Sequence, residues 1–143
     1  MGIVSITNGT IKADILTDVG GRIIFFGRTD GENVLESDPA LWEETAEERI
    51  IPTPETLDFK AYNGHEVWVG PQSLWWKQQD LNEDKLHSTL FWPPDPYISF
   101  GNYTILEQHN NKIIIESEKS PISGIVITKE IEIDTTGKLH FTA

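Results

Sequence analysis

The sequence predicts an all-β protein, an antiparallel β-sandwich with one short helix. Two observations carry this. Apolar and polar residues alternate with period two in several segments, and Asn-containing turns separate consecutive alternating runs. A third limits the size. At 143 residues, with 38% hydrophobic residues and 11 glycines, the chain has the length and apolar content of one ordinary domain.

The elements follow in order. Ile3 to Thr7 and Thr10 to Leu16 flank Asn8-Gly9, whose residues tolerate positive φ, so the pair reads as a hairpin. Thr17 to Gly21 is a turn. Arg22 to Arg28 is a third strand, and its contiguous Ile23-Ile24-Phe25-Phe26 suits burial on both faces. Asn33-Val34-Leu35 reads as a short return strand. Asp38-Pro39 is an N-cap followed by proline at the first helical position, which predicts a helix over Pro39 to Arg49, stopped by Pro52 and Pro54. Tyr103 to Gln108 and Lys112 to Glu118 form a second hairpin around His109-Asn110-Asn111. Ile125 to Asp134 is a long strand with Ile125, Ile127, Ile131 and Ile133 on one face, interrupted by Lys129. A turn at Thr135-Thr136-Gly137 leads into Lys138 to Thr142.

The unusual part lies between the hairpins. Of the 14 Phe, Tyr and Trp residues, ten fall between Phe59 and Tyr103, among Pro, Gln, Asn and Asp. Flat rings beside amides and carboxylates suit a sugar, because pyranose C–H faces stack on aromatics while hydroxyls need polar partners. The same aromatics would serve equally to anchor loops onto a core or to form a subunit interface. The candidate substrate-binding residues are Asn63, Glu66, Trp68, Gln72, Trp76, Trp92, Asp95 and Tyr97. His65 is the candidate general acid or base, since its ordinary pKa lies near neutrality. If this stretch is a strand, His65 shares a face with Val67 and Val69 and is partly buried, while Glu66 and Trp68 face outward.

Composition excludes several classes. The net charge of −12 disfavours nucleic acid and anionic membranes as partners. No cysteine is present, so disulfides and thiolate chemistry are absent. No His pair has zinc-like spacing, and no phosphate-binding glycine loop or nucleophile elbow occurs. The sequence therefore calls for no metal and no cofactor. It contains no membrane-length apolar run and no basic-then-apolar leader, and the compartment stays open.

Gly20-Gly21-Arg22-Ile23 with Asn33-Val34-Leu35 resembles the opening of galactose-mutarotase-like β-sandwiches. Gly64-His65-Glu66-Val67-Trp68-Val69-Gly70-Pro71-Gln72, followed by Trp92-Pro93-Pro94-Asp95, resembles an uncharacterised branch of that superfamily. Members carry Gly-His-x-x-Trp-x-x-Pro-Glu here, and this chain has Gln72 in place of the Glu. The resemblance implies a supersandwich with a carbohydrate-handling concave face, of which these residues form the N-terminal portion. It also implies that the His acid and Glu base of mutarotases lie beyond this chain. Two functions remain open, a sugar epimerase or mutarotase and a non-catalytic carbohydrate-binding or interaction module. A partial sandwich is expected to expose sheet edges, so it should self-associate or be completed by further chain.

Overall fold

Three strands pair first. In the computed structural model, which describes residues 2–143, β1 (Ile3–Thr7), β2 (Ile11–Leu16) and β3 (Arg22–Arg28) form one antiparallel sheet in chain order. Four more, β4 (Tyr103–Gln108), β5 (Lys112–Ser117), β6 (Thr128–Ile133) and β7 (Leu139–Thr142), form a second. The alternation explains why the two sheets meet. Ile6, Ala13, Ile15 and Ile23 of the first and Ile113, Ile115, Ile131 and Ile133 of the second are all fully buried in one shared core. This is the sandwich that the period-two pattern implies.

Ile23 and Ile24 point to opposite faces of β3, and both are sealed from solvent. Ile23 enters the sandwich core. Ile24 enters a second cluster with Leu16, Val19, Tyr62 and Phe100 on the outer side of the first sheet. The contiguous apolar run is thus a strand covered on both faces. Its cover is the long segment between β3 and β4, which holds α1 (Pro39–Trp42), α2 (Glu83–His87), α3 (Pro96–Phe100) and a 3₁₀ turn at Gln72–Leu74.

Several expectations change. Asp38 caps α1 through Ala40 as the sequence indicates, but the helix ends at Trp42 rather than near Arg49. Glu43–Glu47 and Glu44–Glu48 would face each other at i,i+4 as like charges. Glu48 instead turns its carboxylate back to the Thr45 N–H at 2.8 Å. Asn33-Val34-Leu35 is not a strand. The Asn33 side chain satisfies the Phe26 N–H and the Ile24 carbonyl, and Val34 N–H bonds the Phe26 carbonyl. That arrangement, together with the His65–Ile23 bridge, covers the outer edge of β3. Ladder pairing of β6 starts at Thr128, not Ile125, because a turn at Gly124 (φ 71°) bends the chain and the Ser117 hydroxyl takes the Ile127 N–H.

Lys129 interrupts the apolar face of β6 and is nevertheless 1% exposed. Its Nζ donates to the Gly20 carbonyl at 2.7 Å and the Gly21 carbonyl at 3.1 Å, 4.5 Å from the Tyr103 ring centroid. Both glycines have positive φ, which turns the two carbonyls toward one point. Arg22 is also sealed. It donates to the carbonyls of Val19, Asn63 and Ser99 and to Glu66 Oε2 at 2.9 Å. Burial, reinforced by Arg22, presses the Lys129 pKa down to about 7 against the opposing pull of Glu66.

Candidate functional site

The aromatic segment builds a cleft of about 260 Å³. The stretch from His65 to Pro71 makes only single bridges to its neighbours, so strict strand alternation does not govern it. Trp68 is 39% exposed and stands edge-on to Trp75 (centroids 5.8 Å, 85°) and to Trp92 (5.5 Å, 74°). The Trp75 indole N–H donates to the Val69 carbonyl and closes the loop over Gly70, Pro71 and the 3₁₀ turn. Trp68 and Trp75 form one wall. Pro94 and the apolar group Val67, Ile98 and Ile125, which packs on the sandwich core, also line it. The polar groups are few: Gln78, Asp95 and Ser123.

Asp95 is tightly held. Its Oδ1 caps α3 by accepting the Tyr97 N–H at 3.0 Å. Its Oδ2 accepts the hydroxyls of Ser120 at 2.6 Å and Ser123 at 2.7 Å. Asp95 is 8% exposed, and the lining contains no second acid or base to work against it. General acid–base chemistry needs a second proton-exchanging group within reach of the substrate. In this cleft Asp95 is the one ionisable side chain of the lining.

The sequence-derived residues divide. Trp68 and Asp95 line the cleft, and Trp92 buttresses Trp68 from behind while 46% exposed itself. Trp76 does not line it. It is 1% exposed, its Nε1 donates to the Pro93 carbonyl at 2.7 Å, and the Lys85 ammonium lies 5.6 Å from its ring. Successive residues in a tight turn point about 120° apart, so one of the two neighbouring tryptophans faces the cleft and the other faces inward. Trp75 is the cleft-facing one, and periodicity alone did not single it out. Gln72 is exposed on the 3₁₀ turn, outside the cleft lining.

Glu66 turns inward rather than outward, because buried Arg22 requires a counter-charge. His65 lies on the face that Ile23 and Val67 share, at the open margin of the sandwich, where it stays exposed. Its backbone pairs with Ile23, and its ring meets Phe141 edge-on at 4.5 Å. Desolvation against that ring and the nearby Lys129 lower its pKa. It lies outside the cleft lining and has no substrate-facing partner there. Asn63 adopts a left-handed backbone (φ 56°), and its carbonyl serves Arg22. Tyr97 leaves Asp95 for a separate hollow of about 320 Å³ beside Arg49, Asp18 and Phe100. Burial, then Glu55 and Asp95, raise its phenol pKa.

Fold and site together define an antiparallel β-sandwich domain with an aromatic-walled cleft on its long connecting segment. The chain belongs to the DUF4380 family, described as a domain of unknown function, which it matches over residues 2–143. No curated protein and no solved structure matches it.

Proposed function

We propose that this domain binds carbohydrate in the Trp68–Trp75 cleft and that its kinship is with the galactose-mutarotase-like sandwiches. The observation that carries the reading is the placement of two partly exposed indoles around a cavity whose polar groups are one buttressed carboxylate, one hydroxyl and one amide. That is the combination a pyranose requires, with flat apolar walls for C–H faces and a few oriented groups for hydroxyls. The support for the kinship is the sequence resemblance of Gly20-Gly21-Arg22-Ile23 and of the run from Gly64 to Gln72. The cleft offers Asp95 without a facing proton acceptor or donor, so the part of the function carried by these residues is sugar binding.

The test is calorimetric titration of monosaccharides into wild type, Trp68→Ala and Trp75→Ala. Saturable binding is expected in wild type and should be lost in both variants. Absence of binding to any sugar would overturn the reading. It would leave the exposed Leu90, Phe91 and Trp92 beside the cleft as the mark of an interaction module.

A further inference from the structure

The cleft sets a continuous apolar patch beside a few polar groups, and that pairing selects among sugars. Ile98, which is 4% exposed, and the half-buried Val67 and Ile125 form a floor continuous with the sandwich core. No polar side chain interrupts that floor. Beside that floor, the Ser123 hydroxyl proton is committed to Asp95, so Ser123 offers a ligand only lone pairs. Asp95 Oδ2 already accepts two hydroxyls, which leaves Oδ1, with its single N–H donor, able to accept one more. Asp95 and Ser123 thus ask for hydroxyl donors, Gln78 adds one amide, and the lining contains no cation to attract an acid. A volume of about 260 Å³ falls below the ~300 Å³ at which pockets for drug-sized ligands begin, which suits one ring.

We infer that the cleft is specific for a neutral 6-deoxyhexose, its methyl on the Val67–Ile98–Ile125 floor and its ring hydroxyls toward Asp95 and Ser123. This rests on the carbohydrate reading above and adds the ligand class. A hexose carrying a hydroxymethyl in the same pose buries an oxygen with no partner, and a buried hydroxyl without a hydrogen bond is unfavourable. A uronic acid or sugar phosphate brings a second negative charge beside Asp95. The preference for methyl over hydroxymethyl should be about ten-fold or more, the scale on which apolar pockets discriminate single groups.

Matched pairs test this by calorimetry: 6-deoxygalactose against galactose, 6-deoxyglucose against glucose, and each hexose against its uronate. The expected result is at least about ten-fold tighter binding of one or both deoxy sugars and no binding of uronates. Val67→Thr, which exchanges one methyl of the floor for a hydroxyl at nearly constant volume, should bring the deoxy-to-hexose ratio toward one. Equal affinities within the pairs in wild type would overturn the inference while the carbohydrate reading stands. Tighter binding of uronates, or of an amino sugar, would also overturn it. Absence of binding to every sugar would remove both.

Discussion

Lys129→Met tests whether a charged side chain is held between the two sheets. The lysine is 1% exposed, with Gly20 and Gly21 carbonyls as its partners, and its pKa falls from 10.5 to about 7 through burial. The folded state therefore binds fewer protons than the unfolded state between pH 7 and 10.5, so stability rises with pH across that window. The contribution is fully present above 10.5 and is lost as pH falls through about 7. Integrated from pH 7 to pH 10, wild type should gain roughly 3–4 kcal/mol from this group alone.

The neighbours act elsewhere on the scale. Arg22 stays charged despite the downward pressure of burial, and Glu66 is paired to it. His65, with its lowered pKa, titrates below the window. Tyr62 and Tyr103 have raised pKa values, mainly from burial, so they reduce stability only above about pH 10, where the unfolded phenols ionise. The methionine variant leaves two carbonyls unpaired, at about 1–3 kcal/mol each, but that loss does not vary with pH. Denaturant unfolding of both proteins at pH 7, 8, 9 and 10, followed by tryptophan fluorescence, gives the difference directly. The general repulsion of a chain with net charge −12 is nearly common to both and largely cancels. A difference constant with pH would show that the ammonium keeps its ordinary pKa, and would refute the buried-lysine argument.

Further outcomes follow from the same geometry. Trp76→Ala should cost about 3–5 kcal/mol in denaturant unfolding, because it empties a core site, whereas Trp75→Ala should cost much less stability while removing sugar binding. Glu66→Gln, measured the same way, should cost about 3–5 kcal/mol by leaving buried Arg22 without its counter-charge. Asp95→Ala removes the cap of α3 and the partner of two serines, for about 2–4 kcal/mol by thermal or denaturant melts. The outer edge of β4 carries exposed Ile105 and Leu106 at a bulge between Ile105 and Glu107. Sedimentation across a concentration series should show weak self-association that Leu106→Lys reduces, since charges on an edge strand oppose pairing.

The strands were legible because they obey one short-range rule. The hairpin at Asn8, the doubly buried β3 and the alternating β6 each follow from local pattern, and their partners are near in sequence. The segment between β3 and β4 obeys no such rule. Its short helices α2 and α3 depend on single caps, Asn82 and Asp95, and on side-chain bonds to distant backbone such as Asn82 to the Pro54 carbonyl. Trp68 and Asp95 could be found as an aromatic and a carboxylate in a polar setting. Trp75 could not be told from Trp76, because the choice rests on which indole reaches the Pro93 carbonyl. The covering of Glu66 follows from Arg22, more than forty positions away in sequence. A lysine on an apolar strand face looks like a flaw in the pattern until two left-handed glycines from the other sheet supply its partners.

The most direct measurement of the central claim is saturation-transfer difference NMR with 6-deoxygalactose on wild type and on Trp75→Ala. The cleft geometry predicts strong saturation of the sugar methyl and of the C–H protons on one ring face, with both signals lost in the variant. Saturation spread evenly over the sugar, or signals unchanged when Trp75 is removed, would contradict the account.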